Sequence, residues 1–96
     1  MENRERAEKM LAIMRSNKKH YKTERVLRHL IQHKRGLTSW TAWERYATTR
    51  LSSIIYNLRT DWNVDIVTIV ELDKDGRRYA RYVLADYVRE EDKESA

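Results

Sequence analysis

The sequence predicts an α+β domain in which a three-helix core is followed by a β-hairpin, with an extra N-terminal helix in front. Three observations carry this. The stretch LTSWTAWERYATTRLSSIIYNLR, residues 37–59, holds two short runs of helical periodicity separated by a tight turn, a helix-turn-helix pattern. Residues 64–84, VDIVTIVELDKDGRRYARYVL, hold two runs rich in Val, Ile, Thr and Tyr on either side of the turn cluster DKDG. A chain of 96 residues that is 41% apolar can fill one modest core but not two. The expected organisation is an amphipathic helix and connector over 1–20, the main domain over 21–84, and an acidic, mostly disordered tail over 85–96.

Taken in order, Ala7, Met10, Leu11 and Met14 fall on one stripe of a helix over residues 2–15. Two uses are open for that stripe: packing on the domain's own core, or pairing with a second copy to make a homodimer. The polar segment SNKK, residues 16–19, breaks the pattern. Thr23 can cap the next helix, which runs to about His33 and buries Val26, Leu27, Leu30 and Ile31 while Lys22, Arg25, Arg28 and Lys34 stay outside. Gly36 supplies the left-handed residue after that helix, with Leu37 folding back onto its last turn.

Ser39 is a good N-cap for the first motif helix, in which Ala42, Trp43, Tyr46 and Ala47 recur at helical spacing. Thr49 is placed to cap the second. There Leu51, Ile55, Leu58 and Trp62 form the buried stripe, and Ser53, Tyr56, Asn57 and Thr60 lie opposite. Hydroxyls, an amide and a phenol on an exposed helix face suit base edges and phosphates. The first strand places Val64, Ile66, Thr68, Val70 and Leu72 on one side. The second turns Ala80, Tyr82 and Leu84 inward and Arg77, Tyr79, Arg81 and Val83 outward, with Lys74, Arg77 and Arg78 at the tip. A charged tip serves as edge protection or as a contact to phosphate or the minor groove.

Charge narrows the function classes. The net charge is +5, and residues 1–60 carry 14 Lys/Arg against 5 Asp/Glu, whereas residues 85–96 carry 2 against 5. Positive charge gathered on the helical part draws polyanions, although a solvated surface is the plainer use for it. With no cysteine there is neither a disulfide framework nor a thiolate metal site. His29 and His33 have metal-ligand spacing, but a third ligand is missing and no metal or other cofactor is expected. Ser52 and Ser53 have no histidine at local spacing, and Gly36 and Gly76 form no phosphate-cradling loop, so no enzyme is expected. The amino terminus has no leader-like apolar run and no window approaches the roughly 18 apolar residues of a span. An intracellular, cytoplasmic location is expected, with no membrane contact.

Three helices and then a hairpin describe a winged helix, and the residues are more specific than that architecture. The run GLTSWTAWERYATTRLSSIIYNLR resembles a small phage and prophage helix-turn-helix family that reads roughly G-x-T-S-x-E-A-x-x-x-[FY]-G-I-T-R-L-S-A-R-I-x-x-L-R, then Asp-Ile and a closing A-R-Y-x-L. The match covers about residues 23–84 and shares Gly36, Thr38, Ser39, Tyr46, Thr49 to Ser52, Ile55, Leu58, Arg59, Asp65, Ile66, Ala80 to Tyr82 and Leu84. The resemblance implies a winged helix-turn-helix domain that binds double-stranded DNA, of phage or prophage origin, acting in transcription regulation or in excision. Four positions depart from it. Ala47 replaces the family's turn glycine and Thr48 the apolar residue after it, Thr41 stands where Glu is frequent, and Ile54 stands where a long basic residue is usual.

In such a domain Arg50 is expected to reach a phosphate or a guanine edge, with Ser53, Tyr56 and Asn57 along the major groove. Thr38, Ser39, Thr41 and Thr49 would hold the backbone, and Lys74, Arg77 and Arg78 the flanking groove. Arg59, at about a right angle to the buried stripe, suits a structural ion pair as well as DNA. Ile54 at the stripe's edge is expected partly exposed, where it touches a thymine methyl or a protein. Trp40 raises the same alternative. The rival function is therefore a winged-helix protein-interaction factor that docks on host or viral machinery through Trp40 and Ile54.

Overall fold

In the computed structural model, which describes residues 2–88, the amino-terminal helix α1 spans Asn3–Arg15 and buries Ala7, Leu11 and Met14. Its first turn is fixed by the rest of the chain. The Asp86 carboxylate accepts from the Arg4 amide at 2.9 Å and from Asn3 Nδ2 at 2.6 Å, where an acidic group also complements the helix dipole. Asn3 bonds the Asp65 backbone in both directions. The stripe packs against the next helix and the common core. The apolar face on which a homodimer through residues 2–15 would rest is thus covered within the chain.

Asn17 accepts from the Lys19 amide and starts a single 3-10 turn, Lys18–His20. Helix α2, Tyr21–Gln32, follows directly, so Thr23 lies inside the helix and not at its cap. Val26, Leu27 and Leu30 are fully buried, each contributing about 2 kcal/mol of apolar transfer. The helix ends when His33 turns extended. Gly36, at φ +87°, comes three residues later than a helix-ending glycine would. Its left-handed conformation serves a loop turn, closed by its amide to His33 O at 2.9 Å, and brings Leu37 into the core.

Leu37–Thr38 form a short strand, β1, that the sequence did not announce. Helices α3, Ser39–Tyr46, and α4, Leu51–Thr60, make the motif, followed by β2, Ile66–Leu72, and β3, Arg78–Leu84. The sheet is antiparallel in the order β1-β3-β2, three strands where a two-stranded hairpin was predicted. Leu37 pairs with Tyr82 and Thr38 with Arg81. After β3 the chain makes a 3-10 turn, Ala85–Tyr87, whose Tyr87 hydroxyl donates to Ile31 O at 2.8 Å. The ordered domain therefore runs past the boundary expected at residue 84, and the remainder of the tail, 89–96, lies outside the described residues.

At both motif helices the hydroxyl in use lies one residue before its sequence signal, but only at α3 is it a helix cap, since the N-cap position of α4 falls on Arg50 without a side-chain bond. Thr38, not Ser39, caps α3, its hydroxyl accepting from the Thr41 amide at 3.3 Å. Thr48, not Thr49, sets the entry to α4, its buried hydroxyl accepting from the Arg50 amide at 3.2 Å. Ala47 occupies the left-handed region at φ 51°, ψ 38°, closing α3 with its amide on Trp43 O. A β-carbon there costs about 1 kcal/mol. Ala47→Gly is expected to raise unfolding stability by about that amount in urea melts, with the m-value unchanged; a loss of stability would contradict it.

The hairpin's two faces depart from the predicted pattern. Ile66 and Leu84 are buried, but Val70 and Leu72 on the same face project beyond the helices and are exposed. On the reverse face Ile69 and Val83 are buried, and Arg81, directly across from Ile69, is ion-paired with Glu71 while donating from Nη1 to Arg35 O at 2.7 Å. Arg81 is thus a structural residue in place of an outward arginine. This pairing holds the Glu71 carboxyl below its ordinary pKa.

Candidate nucleic-acid interface

Helix α4 buries Leu51, Ile54, Ile55 and Leu58 against α2 and α3. With 100° per residue, Ile54 and Ile55 flank the centre of that contact, so the stripe is wide enough to take both. Ile54 is only 8% exposed, which removes it from the surface and from any contact with a thymine methyl or a partner. The opposite side presents Ser52, Ser53, Tyr56, Asn57 and Thr60, with Tyr56 65% exposed. Thr49 and Arg50 stand exposed at its leading end. No acidic residue lies between Thr49 and Thr60, so the face repels no phosphate.

Arg59 decides how the hairpin sits beside this helix. Its Nε and Nη2 donate to Ile66 O at 2.9 and 2.6 Å, and Nη2 also donates to Thr68 Oγ1 at 2.8 Å. The guanidinium therefore ties the end of α4 to the start of β2, a structural role, and is not spare for a ligand.

At the far end of the hairpin Asp73 organises the tip. Its carboxylate accepts from the amides of Asp75 and Arg77, both at 2.9 Å, and its own amide donates to Arg77 O. Gly76 completes the loop at φ +78°. One acid is thereby consumed by backbone, leaving Lys74, Arg77 and Arg78 exposed beside Asp75.

At the start of α3 the candidates divide. Ser39 is exposed, while the Thr38 hydroxyl is used in capping and in a 3.3 Å bond to Thr41 Oγ1. Thr41 is half-buried. Trp40 is 69% exposed as expected, and Trp43, predicted inside, is 52% exposed. Ser39, Trp40, Trp43, Thr48, Thr49 and Leu51 line a shallow hollow of about 310 Å³. The sequence hid Trp43 because its spacing from Ala42 and Tyr46 fits a buried stripe; only Ala42 and Tyr46 of that stripe reach the core.

His29 and His33, the pair with ligand spacing, stack with ring centres 4.1 Å apart. His29 is buried, its Nδ1 lying 2.7 Å from the Tyr46 hydroxyl. Its other nitrogen serves the Gly36 carbonyl, because the Gly36 amide is already given to His33 O. Burial first, then the charges of His33 and Arg45, push the His29 pKa down to about 4. Among the described residues no group of three His, Cys, Asp or Glu side chains is placed to hold a metal ion.

Helix, turn, helix and clamped basic hairpin together define a winged helix-turn-helix domain. A family model described as a winged helix-turn-helix domain matches residues 22–87, and the chain belongs to that family of DNA-binding domains. The match ends at Tyr87, the residue that locks the last turn onto α2, and α1 lies outside it. Neither the curated proteins nor the solved structures give a match. No helix among the described residues is long and apolar enough to cross a membrane.

Proposed function

We propose that this protein binds double-stranded DNA, with α4 in the major groove and the hairpin tip on the flanking backbone or minor groove. The observation that carries the reading is the acid-free outer face of α4, where Arg50, Ser53, Tyr56 and Asn57 are exposed on a helix fixed against the hairpin by Arg59. In this arrangement Asn57 pairs with a base edge and Ser53 and Tyr56 reach base or phosphate oxygens. Arg50 and Thr49 hold the strand at the helix's leading end, and Ser39 and Thr41 lie near the adjoining backbone. Lys74, Arg77 and Arg78 act as phosphate contacts, which confer affinity and register but little sequence preference. The protein acts through occupancy of DNA, in transcription regulation or excision in a phage or integrated element, the task implied by its sequence resemblance.

Duplex titration at two salt concentrations tests this. Wild type should bind with strong salt dependence, and Arg50→Ala should weaken binding about tenfold or more. A second reading is favoured by Trp40 and Trp43, whose exposed rings bound an apolar hollow suited to a protein partner. It gains if duplex binding is absent even at low salt while a Trp40→Ala change releases a bound protein.

A further inference from the structure

On the flank of α3 away from α4, a second hollow opens between α2 and α3, with a volume of about 370 Å³. We infer that it is a binding site for a single phosphate group, held by Lys34, Arg35, Arg45, His33 and the Thr41 hydroxyl. The ligand is either a backbone phosphodiester of bound DNA or a free phosphate or phosphate ester; only the DNA alternative rests on the function proposed above.

Three observations carry the inference. First, its lining has no carboxylate: the side chains come from the end of α2, the loop before β1 and one face of α3, where Thr41 and Arg45 are one turn apart. Cations arriving from several directions match the spread of oxygens on a tetrahedral anion better than they match one planar carboxylate.

Second, these charges are uncommitted. Among the described residues, Arg15 and Arg28 share Glu24, Arg4 meets Glu8 and Arg59 serves backbone. No hydrogen bond or ion pair of the described residues engages the side chains of Lys34 or Arg45. Arg35 senses Glu71, but that carboxylate is already bonded to Arg81 and Tyr79. Thr41 Oγ1 accepts from Thr38, which leaves its own proton to donate. The unmatched field is felt behind the hollow, where His33 and Arg45 both oppose protonation of buried His29.

Third, the loop is rigid before any ligand arrives. Arg81 donates to Arg35 O, His29 to the Gly36 backbone, and Gly36 is packed so closely on Tyr82 that no β-carbon fits. With the loop backbone already fixed, only the side chains are ordered on binding. The volume lies near the lower end of small-ligand pockets, enough for a phosphate carrying a small ester group.

The test uses the full chain, with inorganic phosphate and a 20-base-pair duplex as separate probes and sodium chloride of equal ionic strength as control. Phosphate is followed by amide shifts at Gly36 and Thr41; the duplex is followed by affinity against salt. Saturable shifts that vanish in Arg45→Ala and weaken in Lys34→Ala establish a site for free phosphate, and do so even if the duplex fails to bind. Without such shifts, an Arg45→Ala chain that keeps duplex binding with a salt slope lowered by about one places a DNA phosphate there. Arg45→Ala should not alter the fold, because its side chain is exposed; the amide spectrum checks this. No saturable phosphate shift, together with no effect of Arg45→Ala on duplex binding or no duplex binding at all, overturns the inference.

Discussion

Replacing Gly36 with alanine should destabilise the domain by about 4 kcal/mol or more, a large part of the 5–15 kcal/mol typical of a folded domain. An added β-carbon would lie 2.0 Å from Tyr82 O and 2.7 Å from Val83 Cγ2. The first of these is backbone in β3, held between β1 and β2, and cannot yield without breaking the Leu37 to Tyr82 pairing. The φ of +87° adds a conformational penalty of about 1 kcal/mol. Gly76 is the internal control. It has a similar φ of +78° but nothing within 4 Å of the same added atom, so Gly76→Ala should cost only about 1 kcal/mol. Urea melts of the two variants separate contact from conformation. Equal losses would contradict the close approach of the α2–β1 loop to β3.

Acid should weaken the fold through His29 as the pH falls below about 6.5. Its folded pKa of about 4 lies below the ordinary 6.5, so the folded state resists a proton that the unfolded chain accepts. The stability due to the neutral ring is fully present above about pH 6.5 and is lost progressively as the pH falls toward 4. A shift of that size amounts to about 3 kcal/mol in all, of which about 2 kcal/mol is lost by pH 5. The groups facing the ring are His33 just past the end of α2 and Arg45 and Tyr46 on α3, together with the Gly36 backbone. Glu71 contributes in the same direction, but only at lower pH, because the hydrogen-bonded Arg81 guanidinium holds its carboxyl below the usual carboxylate range. Urea melts at pH 7 and pH 5 should therefore show wild type losing about 2 kcal/mol more than His29→Gln, which keeps an amide for hydrogen bonding but cannot titrate. Equal losses in the two proteins would show that His29 does not control acid sensitivity.

The periodic parts of the chain were legible because burial imposes a period. Leu51, Ile55 and Leu58 on α4, and Val26, Leu27 and Leu30 on α2, could be read directly, as could the DKDG turn from its cluster of turn-forming residues. The α3 cap was misplaced by one residue because Thr38 and Ser39 offer the same hydroxyl chemistry side by side, and α4 takes no side-chain cap at all, its N-cap position falling on Arg50. Ile54 and Trp43 were misassigned for complementary reasons. Helix α4 is packed across a broad face that takes in Ile54, whereas α3 is short and covered on one side, leaving Trp43 outside. Strand β1 is two residues long, too brief to show alternation. The hairpin's alternation misled because the ribbon extends past the helices, so that Val70 and Leu72 find no core to enter. Of the DNA-facing candidates, Ser39, Thr49, Arg50, Ser53, Tyr56, Asn57, Lys74, Arg77 and Arg78 stand exposed, while Thr38 and Thr41 are half-buried and Ile54 is buried. The basic lining between α2 and α3 was invisible in the sequence because Lys34, in the loop after α2, and Arg45, on α3, are brought together only by the tertiary fold.

The central claim concerns which surface meets DNA, and amide shift mapping on adding a short duplex at low salt tests it most directly. The largest changes should fall on residues 49–60 and on the tip residues 74–78, fading together as salt is raised. Changes confined to the Trp40 and Trp43 side of α3, or to α1, with the outer face of α4 unperturbed, would contradict the account.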